Sequence, residues 1–269
     1  MPEPGVDPTF SIVARTPQYA IVSKSGNLPC HAAGAYRTGT LESLLRERTD
    51  FAEVHLVNRL DRETSGLVVV ALSADAAGAL GRLFEQRRVE KRYLAWVSGS
   101  PPDAFTAAGT LYLCRGDIVL KKRLFVPRLV IPDFIVNGQD IDALRQSAWT
   151  RDEVPPPPRC SDARNAATAF RVIERREDLS LLEVHPHTGR PHQIRATLRA
   201  LGFPIVGDKL YGPDETIYAR LCSGAITTAD RAALRFPRQA LHAFSLAFRD
   251  PFTREHVRYE SPMPADIQP

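Results

Sequence analysis

The chain has 269 residues, which suits one large domain or two small ones. Its charged fraction of 25% and apolar fraction of 43% exclude a disordered tail, a collagen and a coiled coil. The net charge of +4 makes the chain mildly basic. The apolar run Gly66–Leu72 is too short to cross a bilayer, and Met1 is not followed by a secretory leader, so we expect no membrane partner.

The first hundred residues predict short strands and two helices. A helix with three leucines on one side is predicted at 40–48, and a second helix follows Ser73, which can cap its N-terminus. The predicted strands are Phe10–Ala14, Tyr19–Ser23, His55–Leu60, Leu67–Leu72 and Tyr93–Val97.

The middle of the chain differs from both ends. From about Pro127 to Arg164 it is rich in proline and has no sustained periodicity, which is typical of an insertion or a long loop. A helix is then predicted at His192–Leu201, ending at Gly202. Further strands are predicted at Thr168–Glu174, Leu179–His185, Leu241–Phe248 and His256–Glu260. The predicted fold class is α+β on a mostly antiparallel sheet, because strands outnumber helices and hairpins are frequent.

Arginine supplies most of the positive charge. Only five of the 35 basic residues are lysine, and arginine both grips phosphate with two hydrogen bonds and stacks on bases. A GC-rich genome would also favour arginine. However, the segment 115–128, which includes Lys121, Lys122 and Arg123, alone carries a net charge of +4. This clustering indicates a patch that faces an anion.

A metal site is the first alternative that the sequence raises. The four cysteines lack CxxC spacing and are interpreted as reduced thiols, so zinc is not expected. Three histidines are close in sequence: His185, His187 and His192. The positive charges of the neighbouring Arg190 and Arg195 would weaken the binding of a divalent cation there. We instead expect Gly189 to permit a tight turn at which Arg190 and the first helical amides face an anion. Arg195, one turn inside that helix, is expected to reach a carboxylate on a neighbouring strand.

Asp61 is the strongest candidate for chemistry. It lies between Arg59 and Arg62 where a very apolar strand begins, and their guanidinium groups favour an ionised carboxylate. A surface salt bridge is the alternative. A glycosidase pair with Glu63 would need a protonated acid, which so much arginine disfavours. One ionised aspartate suits nucleophilic or electrostatic stabilisation of a sugar cation at C1′.

The motifs together resemble one family. Arg59-Leu60-Asp61-Arg62-Glu63-Thr64-Ser65-Gly66-Leu67 looks like the signature of the RluA-type pseudouridine synthases. Further matches in the same order are Lys24-Ser25-Gly26, Lys91-Arg92-Tyr93-Leu94-Ala95, Thr188–Arg195 and Gly202–Gly212.

This resemblance implies the roles of the site residues. Asp61 is expected to be the catalytic aspartate, Tyr93 the residue that stacks on the base and handles a proton, and Arg195 the salt-bridge partner of Asp61. Arg59 is expected to fill the gap left by a flipped base. The expected RNA-binding residues are Arg59, Arg62, Lys24, Arg190, His192, Lys121, Lys122 and Arg123.

The resemblance also sets the expected organisation. It implies a pseudouridine synthase-like mixed sheet with flanking helices and a catalytic cleft, forming one catalytic domain over 10–262. Residues 114–164 are expected to form a proline-rich insertion that governs which RNA is chosen, and no N-terminal S4-type domain is expected. The sequence departs from the family at Asn58, where histidine is usual, and at Ser25, where proline is usual.

The predicted function is isomerisation of specific uridines in ribosomal or transfer RNA, after the base is flipped from its stack. This reaction needs no cofactor and no metal, and a cytoplasmic monomer is expected. The alternative is a catalytically inactive RNA-binding member of the same fold, although the intact Asp61, Tyr93 and Arg195 favour activity. A hydrolase of nucleosides or sugars would require a second carboxylic acid, which the sequence does not offer.

Overall fold

We describe the protein from a computed structural model, which describes residues 3–115, 122–132 and 157–269. In this part of the chain the strands are β1 Phe10–Arg15, β2 Tyr19–Lys24, β3 His55–Leu56, β4 Ser65–Ala71, β5 Val89–Ser98, β6 Ala104–Cys114, β7 Lys122–Ile131, β8 Cys160–Arg176, β9 Leu179–Pro186, β10 Leu241–Arg249 and β11 His256–Glu260. The helices are α1 Leu41–Arg48, α2 Ala74–Glu85, α3 Gln193–Ala200, α4 Thr216–Cys222 and α5 Thr228–Leu234, with a 3-10 turn at Ala265–Ile267.

The chain packs as two compact units, the first made of residues up to 93 together with 241–268, and the second of residues 94–240. Strand β5 begins in the first unit and ends in the second. The prediction of one catalytic domain over 10–262 stays a prediction, because a single domain can consist of two compact halves.

The first unit is built around strand β4. Its strands lie in the order β1, β2, β4, β10, with β3 also pairing with β4 and β11 with β10. The β4–β10 pair is parallel, whereas the pairs β1–β2, β2–β4, β3–β4 and β10–β11 are antiparallel. This arrangement confirms the predicted α+β class with mostly antiparallel pairing.

Alternation along β4 builds a core on both faces of this sheet. Val68 and Val70 pack with the leucines of α1, and Leu67, Val69 and Ala71 pack with Leu80 and Leu83 of α2. All seven residues of β4 are buried. Each valine or leucine removed from water in this way stabilises the fold by roughly 1.5–3 kcal/mol. Strand β4 is therefore covered on both faces, which fixes the end of the loop that leads into it.

The second unit contains the strands β9, β8, β6 and β7 in that order, all paired antiparallel. Phe105 of β6 lies opposite Phe170 of β8, and their rings stack with centroids 4.8 Å apart. The prediction of a long loop from Pro127 to Arg164 is wrong at both ends, because β7 extends to Ile131 and β8 begins at Cys160.

The cysteines correct a second expectation. Cys114 and Cys160 lie directly opposite each other on β6 and β8 and form a disulfide, so the prediction of reduced thiols is wrong for this pair. Cys30 is free and buried, and Cys222 is free and exposed. Across the described ranges, no helix is both long and apolar enough to span a bilayer.

Candidate active site

Asp61 lies in a loop that connects β3 to the buried strand β4. The backbone N–H of Val57 donates to the carbonyl of Val69 (2.8 Å), and the side-chain oxygen of Asn58 accepts from the N–H of Val69 (2.8 Å). The N–H of Thr64 then donates to the carbonyl of Asp61 (3.1 Å), which closes a turn. Asn58 thus supplies a supporting hydrogen bond to β4, and the half-buried Asp61 is fixed where that strand begins.

Lys24 supports the Asp61 loop through hydrogen bonds to backbone carbonyls. Its ammonium donates to the carbonyls of Arg62 (3.1 Å) and Ser25 (3.0 Å), and the N–H of Leu28 donates to the same Arg62 carbonyl (3.0 Å). Only 1% of the surface of Lys24 is exposed. This placement is at odds with the expected RNA contact, because a lysine so deeply buried has its charge directed at backbone carbonyls rather than at solvent.

The side chain of Arg62 is also used within the protein. Its Nη1 donates to the side-chain oxygen of Asn27 (3.0 Å) and to the hydroxyl of Tyr36 (2.6 Å), and its Nη2 donates to Glu63 (3.1 Å). The guanidinium lies 5.5 Å from the centroid of the Tyr36 ring, within cation–π range. Arg62 therefore supports the Asp61 loop against residues 27–36, whereas the sequence predicted a contact with RNA.

The end of the loop is locked to β10. Gly66 has a φ of +110°, and a Cβ at this position would lie 2.3 Å from the carbonyl oxygen of Ala243. Next to it, the hydroxyl of Ser65 lies 2.9 Å from Nδ1 of His242, whose Nε2 lies 2.8 Å from the carbonyl oxygen of Ser261. Because that carbonyl only accepts, Nε2 carries a proton, and in the neutral imidazole Nδ1 accepts from Ser65. Sequence reasoning missed His242, which no spacing rule connects to Ser65.

Tyr93 lies near the end of the part of β5 that belongs to the first unit. It packs against the apolar cluster that contains Leu60 and Cys30. Burial raises the pKa of the Tyr93 phenol above its ordinary value, and the negative charge of Asp61 raises it further. The structure thus brings together two of the predicted catalytic residues, a neutral phenol and a carboxylate close enough to influence its ionisation.

Arg195, the third predicted catalytic residue, belongs to the second unit. Its Nε donates to Oδ2 of Asp208 (2.7 Å) and its Nη2 to Oδ1 of the same carboxylate (3.0 Å). Burial alone would raise the pKa of Asp208, but the charge and hydrogen bonds of Arg195 outweigh it and hold that pKa below its ordinary value. Sequence reasoning missed Asp208, and the pairing of Arg195 with Asp61 stays a prediction.

The start of α3 differs from the predicted anion site. The side-chain oxygen of Gln193 accepts from the backbone N–H of Arg190 (3.1 Å) and from the hydroxyl of Thr188 (2.6 Å). His192 precedes the helix with a φ of 57°, in the left-handed region. The N–H of Arg190 is therefore directed at a glutamine of the protein, and its side chain reaches the carbonyl of Asn165 (3.5 Å).

The predicted basic patch is partly visible on β7. Lys122 pairs with Glu215 (2.6 Å) and Arg123 with Asp162 (3.0 Å). The two cations are partly buried, whereas their carboxylate partners lie closer to solvent, and we expect phosphate to compete with these carboxylates. Arg59 is exposed, whereas Lys121 lies outside the described residues.

Among the residues that the structure describes, there is no group of three or more His, Cys, Asp or Glu that could hold a metal ion. His185 is buried and its Nε2 lies 3.4 Å from Glu183.

Comparison with known proteins identifies relatives over most of the chain. An uncharacterised RNA pseudouridine synthase of Chloroflexus aurantiacus is 33% identical over 252 residues, which cover 91% of this chain and 63% of that protein. The ribosomal large subunit pseudouridine synthase D of Xanthomonas campestris is also 33% identical over 252 residues, covering 92% of this chain and 64% of that protein. This chain therefore spans less than two thirds of the length of either relative.

A solved structure and a family model agree with these relatives. The human RNA Pseudouridylate Synthase Domain Containing 1 is similar with a TM-score of 0.66 and 27% identity, over 97% of this chain and 86% of that one. The family model described as RNA pseudouridylate synthase matches residues 18–200. The predicted family resemblance is confirmed, and the chain belongs to the RNA pseudouridylate synthase family.

Proposed function

We propose that this protein is an RNA pseudouridine synthase in which Asp61, Tyr93 and Arg195 are the catalytic residues. The observation that carries the proposal is the pair formed by Asp61 and Tyr93. The loop that carries Asp61 is fixed by hydrogen bonds. The charge of Asp61, together with burial, raises the pKa of the Tyr93 phenol. A neutral phenol next to an ionised acid suits a reaction at a sugar carbon followed by movement of a proton.

The chemistry balances with no added reagent. The N1–C1′ bond of uridine breaks, the uracil turns, and a C5–C1′ bond forms while a proton leaves C5 and one is gained at N1. Asp61 stabilises the positive charge that develops at C1′, either by bonding to it or electrostatically. Tyr93 stacks on the turning base and handles the proton. Arg195 keeps the carboxylate ionised.

RNA binding is assigned to the other residues that the sequence predicted for it. We propose that Arg59 fills the space of the flipped base and that Arg190, His192, Lys122 and Arg123 contact the RNA, together with Lys121. Lys24 and Arg62 are reassigned as supports of the Asp61 loop, since their charged groups bond to the protein itself.

The proposed substrate is ribosomal RNA rather than transfer RNA. Support comes from the relative named ribosomal large subunit pseudouridine synthase D. We further propose that the protein acts in the cytoplasm, where its RNA would be found, and as a monomer. Segment 114–164, which includes β7, is proposed to select the RNA.

The experiment is release of tritium from RNA labelled at C5 of uridine, because C5 loses its hydrogen when the new bond forms. Ribosomal RNA fragments and transfer RNA transcripts are compared, and pseudouridine is mapped in cellular RNA with and without the protein. Release from ribosomal RNA with new mapped sites supports the proposal. Binding of RNA without tritium release from either substrate would favour the inactive RNA-binding alternative.

A further inference from the structure

The guanidinium of Arg195 is held on one edge by a carboxylate that is completely buried. Asp208 is 0% exposed, and both of its oxygens bind Arg195, at 2.7 and 3.0 Å. Asp208 is itself fixed, because its Oδ1 accepts from the backbone N–H groups of Leu210 (2.9 Å) and Tyr211 (2.9 Å). A bidentate pair of this kind sets both the position and the plane of the guanidinium.

A second contact restricts the same group from its face. The guanidinium carbon of Arg195 lies 5.0 Å from the centroid of the Tyr211 ring. The hydroxyl of Tyr211 accepts from the backbone N–H of Arg123 on β7 (2.8 Å) and lies 3.0 Å from Nδ1 of His192. Tyr211 therefore contacts Arg195 through its ring and the proposed RNA-binding residues through its hydroxyl.

We propose that Asp208 is a positioning residue that fixes Arg195 for the isomerisation; this rests on the proposed function, in which Arg195 is catalytic. The bond to Asp208 uses two of the five N–H donors of the guanidinium and thereby fixes both its position and its plane. A side chain already fixed on one edge loses less conformational entropy when it binds on the other. Asp208 thus holds the guanidinium of Arg195 in one orientation before the RNA binds.

The same unit offers a matched control. Asp230 also binds an arginine with both oxygens, since Nε of Arg220 donates to its Oδ2 (2.8 Å) and Nη2 to its Oδ1. Asp230 is nearly buried as well, at 7% exposure, but it joins α4 to the start of α5 and contacts none of the proposed catalytic residues in the described part of the chain. Loss of a bidentate Asp–Arg pair alone is therefore tested by Asp230→Asn, although Arg220 is more exposed than Arg195.

The experiment measures steady-state kcat and KM, together with RNA affinity, for Asp208→Asn, Asp230→Asn, Arg195→Ala and the double variant Arg195→Ala/Asp208→Asn. We expect Asp208→Asn to lower kcat by about 100-fold, with RNA affinity changed less than about threefold. Asp230→Asn should keep the kcat of the unaltered protein. The double variant should be no slower than Arg195→Ala, because Asp208 acts only through Arg195.

Thermal melting separates folding from positioning. If Asp208→Asn does not fold, Asp208→Glu is measured in its place: it keeps the charge but moves the guanidinium by one methylene, and should lower kcat by about tenfold at unchanged KM. An unaltered kcat in the folded Asp208→Asn or Asp208→Glu variant would overturn the inference. Full activity of Asp61→Ala or Arg195→Ala would instead overturn the proposed function, so the two failures are distinguishable.

Discussion

The phenol of Tyr93 lies among apolar side chains and close to a carboxylate, and both surroundings disfavour its ionised form. Its pKa is raised above the ordinary value of 10.0, as is that of Tyr19, which is buried against Asp250. The phenol of Tyr93 is therefore neutral throughout the pH range in which an enzyme of this kind would be assayed.

The raised pKa of Tyr93 predicts how the stability of the fold changes at high pH. A folded-state pKa raised above the unfolded value gives stability that is fully present below about pH 10 and is lost as the pH rises, because the unfolded chain ionises first. The free energy of unfolding, measured in urea from about pH 8 to about pH 11, should fall above pH 10, and it should fall less for Tyr93→Phe.

The same variant tests the role of Tyr93 in the reaction. Tyr93→Phe keeps the ring, so it should stay folded at pH 8 while losing about 10²–10⁴-fold in the rate of tritium release. Tyr19→Phe is the control, since it also removes a hydroxyl with a raised pKa but should retain activity. Equal rates for Tyr93→Phe and the unaltered protein would rule out proton handling by this phenol.

Residue types alone predicted some of these placements and not others. Asp61 stood out through its flanking arginines, whereas the role expected for Tyr93 came from the family resemblance. Lys24 was predicted to contact RNA because lysine is usually exposed, and only the fold shows that its ammonium donates to the carbonyl of Arg62. Asp208 was missed because its partner, Arg195, is thirteen residues away, a separation that no helix or strand period connects.

Among the elements, the pairing of β4 with β10 sets the end of the Asp61 loop. The two strands run parallel, with Ser65 opposite His242 and Gly66 opposite Ala243. Gly66 approaches the backbone of Ala243 so closely that a side chain has no room, and its φ of +110° also disfavours any residue with a Cβ.

Gly66→Ala should therefore lower the free energy of unfolding by about 3 kcal/mol or more, measured by urea denaturation. Gly81→Ala in α2 is the matched control. A Cβ there meets nothing within 4 Å, and alanine in a helix is favoured over glycine by about 0.5–1 kcal/mol. A Gly66→Ala variant as stable as the unaltered protein would contradict the close approach of β4 and β10.

Elements with clear local signals were predicted well. The side chain of Ser73 accepts from the N–H of Ala76 and caps α2 as expected, and Gly202 follows α3 with a φ of +87°. Strand β6 was missed because its run of small and apolar residues lacks polar alternation, being buried between β8 and β7. Helices α4 and α5 were missed because each has only seven residues.

For the whole molecule, the distribution of charge matters more than its sum. The net charge is only +4. At the start of β7, however, Lys122 and Arg123 lie side by side, and each is paired with a carboxylate for which phosphate can be exchanged. Phosphate contacts of this kind give RNA binding a strong dependence on salt, since each one releases bound counterions.

Arg123→Ala should weaken RNA binding and reduce the slope of log K against log salt by about one unit, with kcat little changed. Binding titrations at several salt concentrations measure this slope. Arg235→Ala is the control, because Arg235 also pairs with an exposed aspartate, Asp178, but lies outside the proposed patch. The same reduction in slope for both variants would show that binding does not depend on this patch.

The central claim is that an ionised Asp61 acts on C1′ of a flipped uridine. The most direct test is single-turnover tritium release by Asp61→Asn, which keeps the size of the side chain but removes its charge and nucleophilicity. We predict a loss of about 10⁴-fold or more, with the melting temperature and RNA affinity nearly unchanged. Activity in the folded Asn variant equal to that of the unaltered protein would contradict the mechanism.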